Sequence, residues 1–425
     1  MFKELMTKDI VKMIEGKTTL NSRELVRGIS INSKVTRPGD LFFALKGEHT
    51  DGHFFTTEAL DNGAVGVVVQ RPTTSKSDIV VSDTIFALGE LARKYRSSFY
   101  PKTIGITGTN GKTTVKKLVA SILNKKHEIL YTKKNFNSLI GLPLTILELT
   151  GTEEYLVLEM GTSNHGEIGR LCEIAKPSIG VITNIGPGHL DGLETIEGIR
   201  KEKLSLINCL PEDGFALVGD GVGDVERENV YRFSMDMLDN IRIDEHGSHF
   251  TCNGINFFTP LLGLGNVYNC LAAIRLTSII GVESDIQRTT IADAVPESGR
   301  LEPIRINGML IINDTYNANP VSMKAALDFM ATLKRPKVCI LGDMRELGEQ
   351  SRNLHIEIGQ YARERCEVLL TTGADARYYG GRHFNDRRAL TGYLVKYLNG
   401  DEVVLIKASR AFKFENIIDG LLWSL

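Results

Sequence analysis

The run Gly105-Ile-Thr-Gly108-Thr109-Asn110-Gly111-Lys112-Thr113-Thr114 has the composition of a phosphate cradle. Glycines let backbone N–H groups approach phosphate oxygens closely, and the helix expected over "TTVKKLVASILNKK" would add its positive end. The lysine would reach the β- and γ-phosphates, and the Thr113 hydroxyl would meet Mg²⁺. Gly108, Thr109, Asn110, Gly111 and Thr114 complete the loop. The spacing is GxxxxxGK[ST] from Gly105 and GxxGKTT from Gly108, so it differs from the common GxxxxGK[ST] by its glycine register. Such a loop implies ATP or GTP. It does not say whether the γ-phosphate goes to water, to an alcohol or to a carboxylate.

Two further residues sit where such chemistry needs them. "YLVLEMG" puts Glu159 at the end of a buried strand, where a carboxylate faces the crevice beyond a parallel sheet and suits Mg²⁺. "TNIGPGHLDGL" puts His189 after a glycine-rich turn at the same edge. The next helix, "ETIEGIRKEKLSLI", carries Arg200, Lys201 and Lys203. On periodicity alone this basic cluster reads as a solvated face. "GDGVG" (219–223) and "GLGNVYN" (263–269) fall short of GxGxxG and read as turns.

The elements that must position these groups form three blocks. With 425 residues the chain exceeds one ordinary domain. Residues 1–96 show short strands, "GDLFFALKG", "GAVGVVVQ" and "DIVVSD", then a helix, "IFALGELARKYRSSFY". Residues 97–299 alternate apolar strands with helices, the pattern of a mostly parallel sheet covered on both faces. Residues 300–425 restart it with four strands, "GMLIINDTY", "KVCILGD", "EVLLTTG" and "VVLIKAS", and helices from near Pro320, Ser351 and Arg410. The fold class is therefore α/β with three domains: a small N-terminal one, a central P-loop ATPase and a Rossmann-like C-terminal one.

The net charge of −2 argues against general nucleic-acid binding, so an anionic substrate must meet a local basic patch. No stretch is long and apolar enough to span a bilayer, and the N-terminus lacks a signal-peptide core. Six scattered cysteines form no CxxC pair, which points to small buried thiols in a reducing cytosol.

"GITGTNGKTT", "EMGTSNHGEI", "TNIGPGHLDGLETIEGIRKEKL" and "NDTYNANPVSM" follow one another as in the Mur ligase family, and together they resemble it over nearly the whole chain. Members are ATP-dependent amide-forming enzymes of peptidoglycan precursor synthesis. "NSKVTRPGDLFFALKGEHTDGHFF", "LGDMRELGEQS" and "IKASRAFKFE" are most similar to the branch that adds D-alanyl-D-alanine to UDP-N-acetylmuramoyl-tripeptide. The DNPR motif of the branch adding the third residue is absent.

The resemblance implies a monomer whose first domain holds the UDP end of the substrate. The second binds ATP, and the third brings the amine and closes over the nucleotide. It implies two Mg²⁺, with Thr113 and Glu159 at the first and His189 and a carbamylated Lys203 at the second. It puts Asn269 at the adenine, Arg300 near the phosphates and Asp314 on the ribose hydroxyls. Gly265 replaces the family histidine, and Asn266 reads equally as a helix N-cap. Tyr316, Asn317 and Asn319 fall on the nucleotide or amine side, with Asn319–Pro320 also reading as a helix start. Asn32, Ser33 and Lys34 fall near the uridine, and Asn135, Asn137 and Ser138 face the substrate. The rivals are a folylpolyglutamate-type ligase, a P-loop ATPase that only hydrolyses, and a catalytically silent relative.

Overall fold

The computed structural model describes residues 2–18, 24–47, 50–73, 75, 77–188 and 190–424. Three α/β units follow one another. In the first, the parallel strands Gly28–Ser30, Asp40–Phe43, Gly66–Val69 and Asp78–Val80 lie in that order, with Lys17–Thr18 antiparallel at the edge. Their Val- and Phe-rich runs are buried on both faces, as parallel strands require.

The helix Thr84–Arg96 joins the first unit to the second. Asp83 caps it, its carboxylate accepting from Phe86 N–H at 2.7 Å. Leu88, Leu91 and Tyr95 recur at helical spacing and enter one apolar cluster with Phe43 of the first sheet and Leu156 of the second. Tyr95 also donates to the Leu149 carbonyl at 2.7 Å. Truncating one of these buried leucines to alanine would cost about 2–5 kcal/mol.

The central sheet is wholly parallel. Its order is Val230–Arg232, Phe215–Val218, Ile179–Ile182, Lys102–Thr107, Tyr155–Glu159, Ile129–Tyr131. The chain leaves the strand Lys102–Thr107 toward one edge and later returns to build the other. A crevice therefore opens beyond the carboxyl ends of the three middle strands. The helix Leu264–Ile280 is apolar nearly all round and packs on the helix Lys112–Leu123.

A three-stranded antiparallel sheet, Leu238–Asp244, Gly247–Cys252 and Ile255–Thr259, was not legible as alternating strand and helix. Its first turn reaches the third unit: Glu245 accepts from Arg305 at 3.3 Å and pairs with Arg335 at 3.0 Å. These two guanidinium groups hold the Glu245 carboxyl below its usual range, against the opposing effect of burial.

The third sheet has six strands, not four. The order is Glu302–Ile306, Met309–Asp314, Val403–Lys407, Lys337–Leu341, Val368–Thr372, Arg382–Phe384. Only the first is antiparallel. The two strands that the sequence reading missed are the edge strands, which are partly exposed and lack a continuous apolar run. A helix at Arg387–Tyr397 was likewise missed, and the helix expected near Arg410 is a short 3-10 turn followed by Glu415–Ser424.

Three smaller expectations are corrected. "GLGNVYN" is not a turn: Gly263 is the N-cap and the helix begins at Leu264. Asn266 is thus inside the first turn, where its Nδ2 donates to the Leu262 carbonyl at 2.9 Å. The cysteines are free, but Cys209 is exposed and Cys366 only half-buried. Among the described residues no helix is long and apolar enough to cross a membrane.

Candidate active site

The phosphate loop leaves the strand Lys102–Thr107 and enters the helix Lys112–Leu123. Gly111 has φ 83°, and a Cβ there would collide with Asn269. No side chain caps the helix, so its first N–H groups face the crevice. The loop is tethered to the turn after Ile182: Asn110 N–H donates to Asn184 Oδ1 at 3.0 Å, and Thr109 Oγ1 to the Gly186 carbonyl at 3.0 Å. Lys112 Nζ donates to the Gly108 and Thr109 carbonyls at 2.9 and 3.1 Å. Burial pushes the Lys112 ammonium pKa down, and nearby Glu159 opposes the shift.

Glu159 ends the neighbouring strand and is 2% exposed. Its Oε1 accepts from Thr113 Oγ1 at 3.1 Å and from Asn137 Nδ2 at 2.8 Å. Its Oε2 is buried without a hydrogen bond, 3.6 Å from Lys116 Nζ. A carboxylate and a hydroxyl side by side are the hard oxygen donors that Mg²⁺ takes, and one buried carboxylate oxygen accepts no hydrogen bond. The residues fit that ion.

The third unit supplies the opposite wall. Arg300 Nη2 donates to Thr113 Oγ1 at 3.0 Å, and its guanidinium stacks over Tyr316 at 4.0 Å. Asn319 Nδ2 donates to Asn110 Oδ1 at 2.9 Å. Asn319 also caps the helix Pro320–Thr332 in a capping box with Ser322. Asp314 Oδ2 accepts from buried Lys407 Nζ at 2.5 Å, while Oδ1 accepts from Leu301 N–H at 3.1 Å. Lys407 Nζ also donates to the Asn317 carbonyl at 2.9 Å.

These groups enclose one cleft of about 710 Å³. Thr109 through Thr114 form its floor, with Asn135, Asn137, Ser138 and Glu159 on one side. Asn269, Arg300, Asp314, Tyr316, Asn317 and Asn319 line the other. A second hollow of about 310 Å³ shares Thr114, Asn266 and Arg300 with it.

Three family models match the chain. The Mur ligase middle domain profile matches residues 106–277, the Mur ligase glutamate ligase domain 299–410, and the Mur ligase family catalytic domain 25–96. The UDP-N-acetylmuramoyl-tripeptide–D-alanyl-D-alanine ligase of Bacillus subtilis is 34% identical, over 98% of each chain. The chain belongs to the Mur ligase family. The crystal structure of MurF from Acinetobacter baumannii superposes with a TM-score of 0.93 at 27% identity, covering 99% of both chains. MurF ligase from Thermotoga maritima in complex with ADP gives 0.86 at 30% identity, covering 94% of this chain and 98% of that one.

For this Mur ligase, Lys203 departs most from its local reading. The helix Ile196–Asn208 does not present it to solvent: it is 1% exposed. Burial, reinforced by Lys112, brings its pKa down to about 7, and Glu202 opposes the shift. Glu202, also buried, accepts from Gly166 and Ile168 N–H at 2.7 Å each and ties its helix to the start of the helix Glu167–Ala175. Arg200 is also not merely solvated, for it donates to the Val222 and Asp224 carbonyls. His189 lies outside the described residues.

Asn269 Nδ2 donates to Asn266 Oδ1 at 3.1 Å and backs the phosphate loop. Gly265 lies at the cleft edge, where an added Cβ meets nothing within 4 Å, so the family histidine would find room. Asn32, Ser33 and Lys34 lie apart from the cleft in a 3-10 turn of the first unit. There Asn32 Oδ1 accepts from Lys34 N–H at 3.1 Å, and Ser33 Oγ donates to Glu58 at 2.5 Å.

The site residues that escaped the sequence reading include four cations: Lys116, Arg345, Lys407 and Arg410. Lys116 sits one helical turn after Lys112, a spacing that could have flagged it. The other three stand in two motifs, "LGDMRELG" and "IKASRAF", whose likeness was noted without a role.

Proposed function

We infer that this Mur ligase joins D-alanyl-D-alanine to UDP-N-acetylmuramoyl-tripeptide with conversion of ATP to ADP and phosphate, a step of peptidoglycan precursor synthesis. The observation that carries this is full-length kinship with enzymes so named, together with a cleft in which the phosphate loop meets a second α/β wall.

The peptide carboxylate attacks the γ-phosphorus, ADP leaves, and an acyl phosphate forms. The dipeptide amine then attacks the acyl carbon, and the tetrahedral adduct collapses to amide and phosphate. Carboxylate and triphosphate repel each other, so cationic groups must hold them together. Lys112 and the first amides of its helix take the phosphates, and Arg300 supplies a further charge beside Thr113. Asp314 holds the ribose and Asn269 meets the base, which extends toward the smaller hollow. Asn32, Ser33 and Lys34 receive the uridine end, with Asn135, Asn137 and Ser138 along the peptide. Tyr316, Asn317 and Asn319 face nucleotide and amine. In this division residues 1–96, 97–299 and 300–425 act as separate domains, and closure of the last excludes water from the acyl phosphate.

Thr113 and Glu159 would hold one Mg²⁺, and carbamylated Lys203 with His189 a second; bound there, the ions would neutralise phosphate oxygens. Carbamylation needs a neutral amine, and the burial of Lys203 favours one.

The test is phosphate release from ATP and Mg²⁺ with the UDP-tripeptide, with and without D-alanyl-D-alanine, followed by the mass of the product. Release that requires the dipeptide, with a product heavier by the dipeptide less water, is the expected outcome. Release regardless of it would overturn the reading in favour of an ATPase.

A further inference from the structure

Among the described residues five cationic side chains line the cleft: Lys112, Arg300, Arg345, Lys407 and Arg410. Four have partners. Lys112 is bonded to its own loop, Arg300 to Thr113, Lys407 to Asp314, and Arg410 pairs with Glu415 at 3.2 Å. The Arg345 guanidinium makes no hydrogen bond or ion pair among the described residues; it lies over the Phe412 ring at 5.2 Å.

Its backbone is firmly held. Arg345 N–H donates to Ser409 Oγ at 2.9 Å, and Ser409 N–H donates to the Asp343 carbonyl at 3.0 Å. The Asp343 carboxylate in turn accepts from the N–H groups of Ala374, Asp375 and Ala376. A planar cation thus stands on a fixed frame at the carboxyl ends of two adjacent parallel strands, Lys337–Leu341 and Val403–Lys407. Ala318, Val321, Ala325 and Ala411 give the same cleft a small apolar part of its lining.

We propose that Arg345 binds the terminal carboxylate of the incoming dipeptide; this rests on the ligase reading above. Phosphates already have Lys112, the helix N-terminus and Arg300. The donor's reacting carboxylate must meet the γ-phosphate. The acceptor brings a carboxylate that the reaction does not consume, and pinning it with a bidentate guanidinium aims the amine at the acyl carbon. That apolar lining suits side chains of one methyl each.

The test is a cycle of two changes measured on the full chain by steady-state kinetics: Arg345→Ala in the enzyme, and D-alanyl-D-alanine replaced by its C-terminal amide. With the dipeptide, Arg345→Ala should raise KM about ten- to a hundredfold, as loss of a charge-assisted bond does. KM for ATP and for the UDP-tripeptide should stay within about twofold, and Arg345→Lys should recover part of the loss. With the amide, wild type should already be poor and Arg345→Ala should change KM by less than about threefold. An equal factor with both acceptors, or a rise in KM for the UDP-tripeptide, would overturn the proposal while leaving the ligase reading intact. If wild type forms no dipeptide product at all, the reading itself has failed and the proposal falls with it.

Discussion

Arg300 and Thr113, 187 residues apart in sequence, share a hydrogen bond of 3.0 Å. Thr113 lies in the first turn of the helix after the phosphate loop and Arg300 just before the strand Glu302–Ile306, so one contact joins the central unit to the third. Replacing Arg300 with Ala removes this bond and the cation over Tyr316. The expected loss is about 2–3 kcal/mol, or roughly 30- to 150-fold in kcat/KM for ATP. Phosphate release against ATP concentration measures it; an unchanged value would detach Arg300 from the nucleotide.

Glu159→Gln should raise the Mg²⁺ concentration needed for half-maximal activity by at least about tenfold, since one hard anionic donor is lost. It also leaves buried Lys116 without its carboxylate. Stability should fall by about 3–5 kcal/mol, as for a broken buried pair, read from denaturant unfolding. Mg²⁺ titration and unfolding together separate the two effects.

The Lys203 amine has its pKa brought down to about 7. Below that pH it is an ammonium and does not carbamylate; above it the neutral amine reacts with CO2. Activity in CO2-depleted buffer should therefore drop, recover on adding bicarbonate, and show the steepest dependence below pH 7. For the free amine, the unfolded chain binds more protons between about 7 and the ordinary 10.5, so its contribution to stability improves as pH rises through that window. Lys203→Ala with full activity and no response to bicarbonate would end the carbamate role.

Lys407→Met should leave Asp314 buried with an uncompensated charge and destabilise the third domain by about 3–5 kcal/mol. Asp314→Ala should raise KM for ATP, and the double variant should be less unstable than Lys407→Met alone. Thermal unfolding of the three variants gives the coupling.

Gly265 has a helical backbone and open space around its missing side chain. Gly265→Ala should stabilise the protein by about 0.5–1 kcal/mol without changing KM for ATP. A loss of stability would mean that the helix start needs glycine there.

What was legible in the sequence followed from steric or periodic demands. The phosphate loop announces itself because a Cβ at Gly111 would meet Asn269 and strain a positive φ, and Asn319–Pro320 announces a helix start. Central parallel strands read clearly because both their faces are buried. The antiparallel sheet 238–259 and the edge strands of the third sheet did not, because one-sided burial leaves a weaker pattern. Lys203 looked like surface because its neighbours Arg200 and Lys201 are charged; only the packing of the helix reveals that it turns inward. Lys407 was hidden for the opposite reason: it ends an apolar strand and has its partner 93 residues away. Ser33 fitted the uridine reading by position, yet its hydroxyl is engaged with Glu58.

The central and third sheets both send strand ends into the cleft. The phosphate loop and Glu159 hang from strand ends of the central sheet, whereas Asn317, Arg345 and Arg410 follow strand ends of the third. The loops of that sheet are not independent of one another: Asp314 ends one of its strands and is held by Lys407 at the end of the next, which also bonds the Asn317 carbonyl. A change of angle between the two sheets therefore reshapes the cleft from both walls at once.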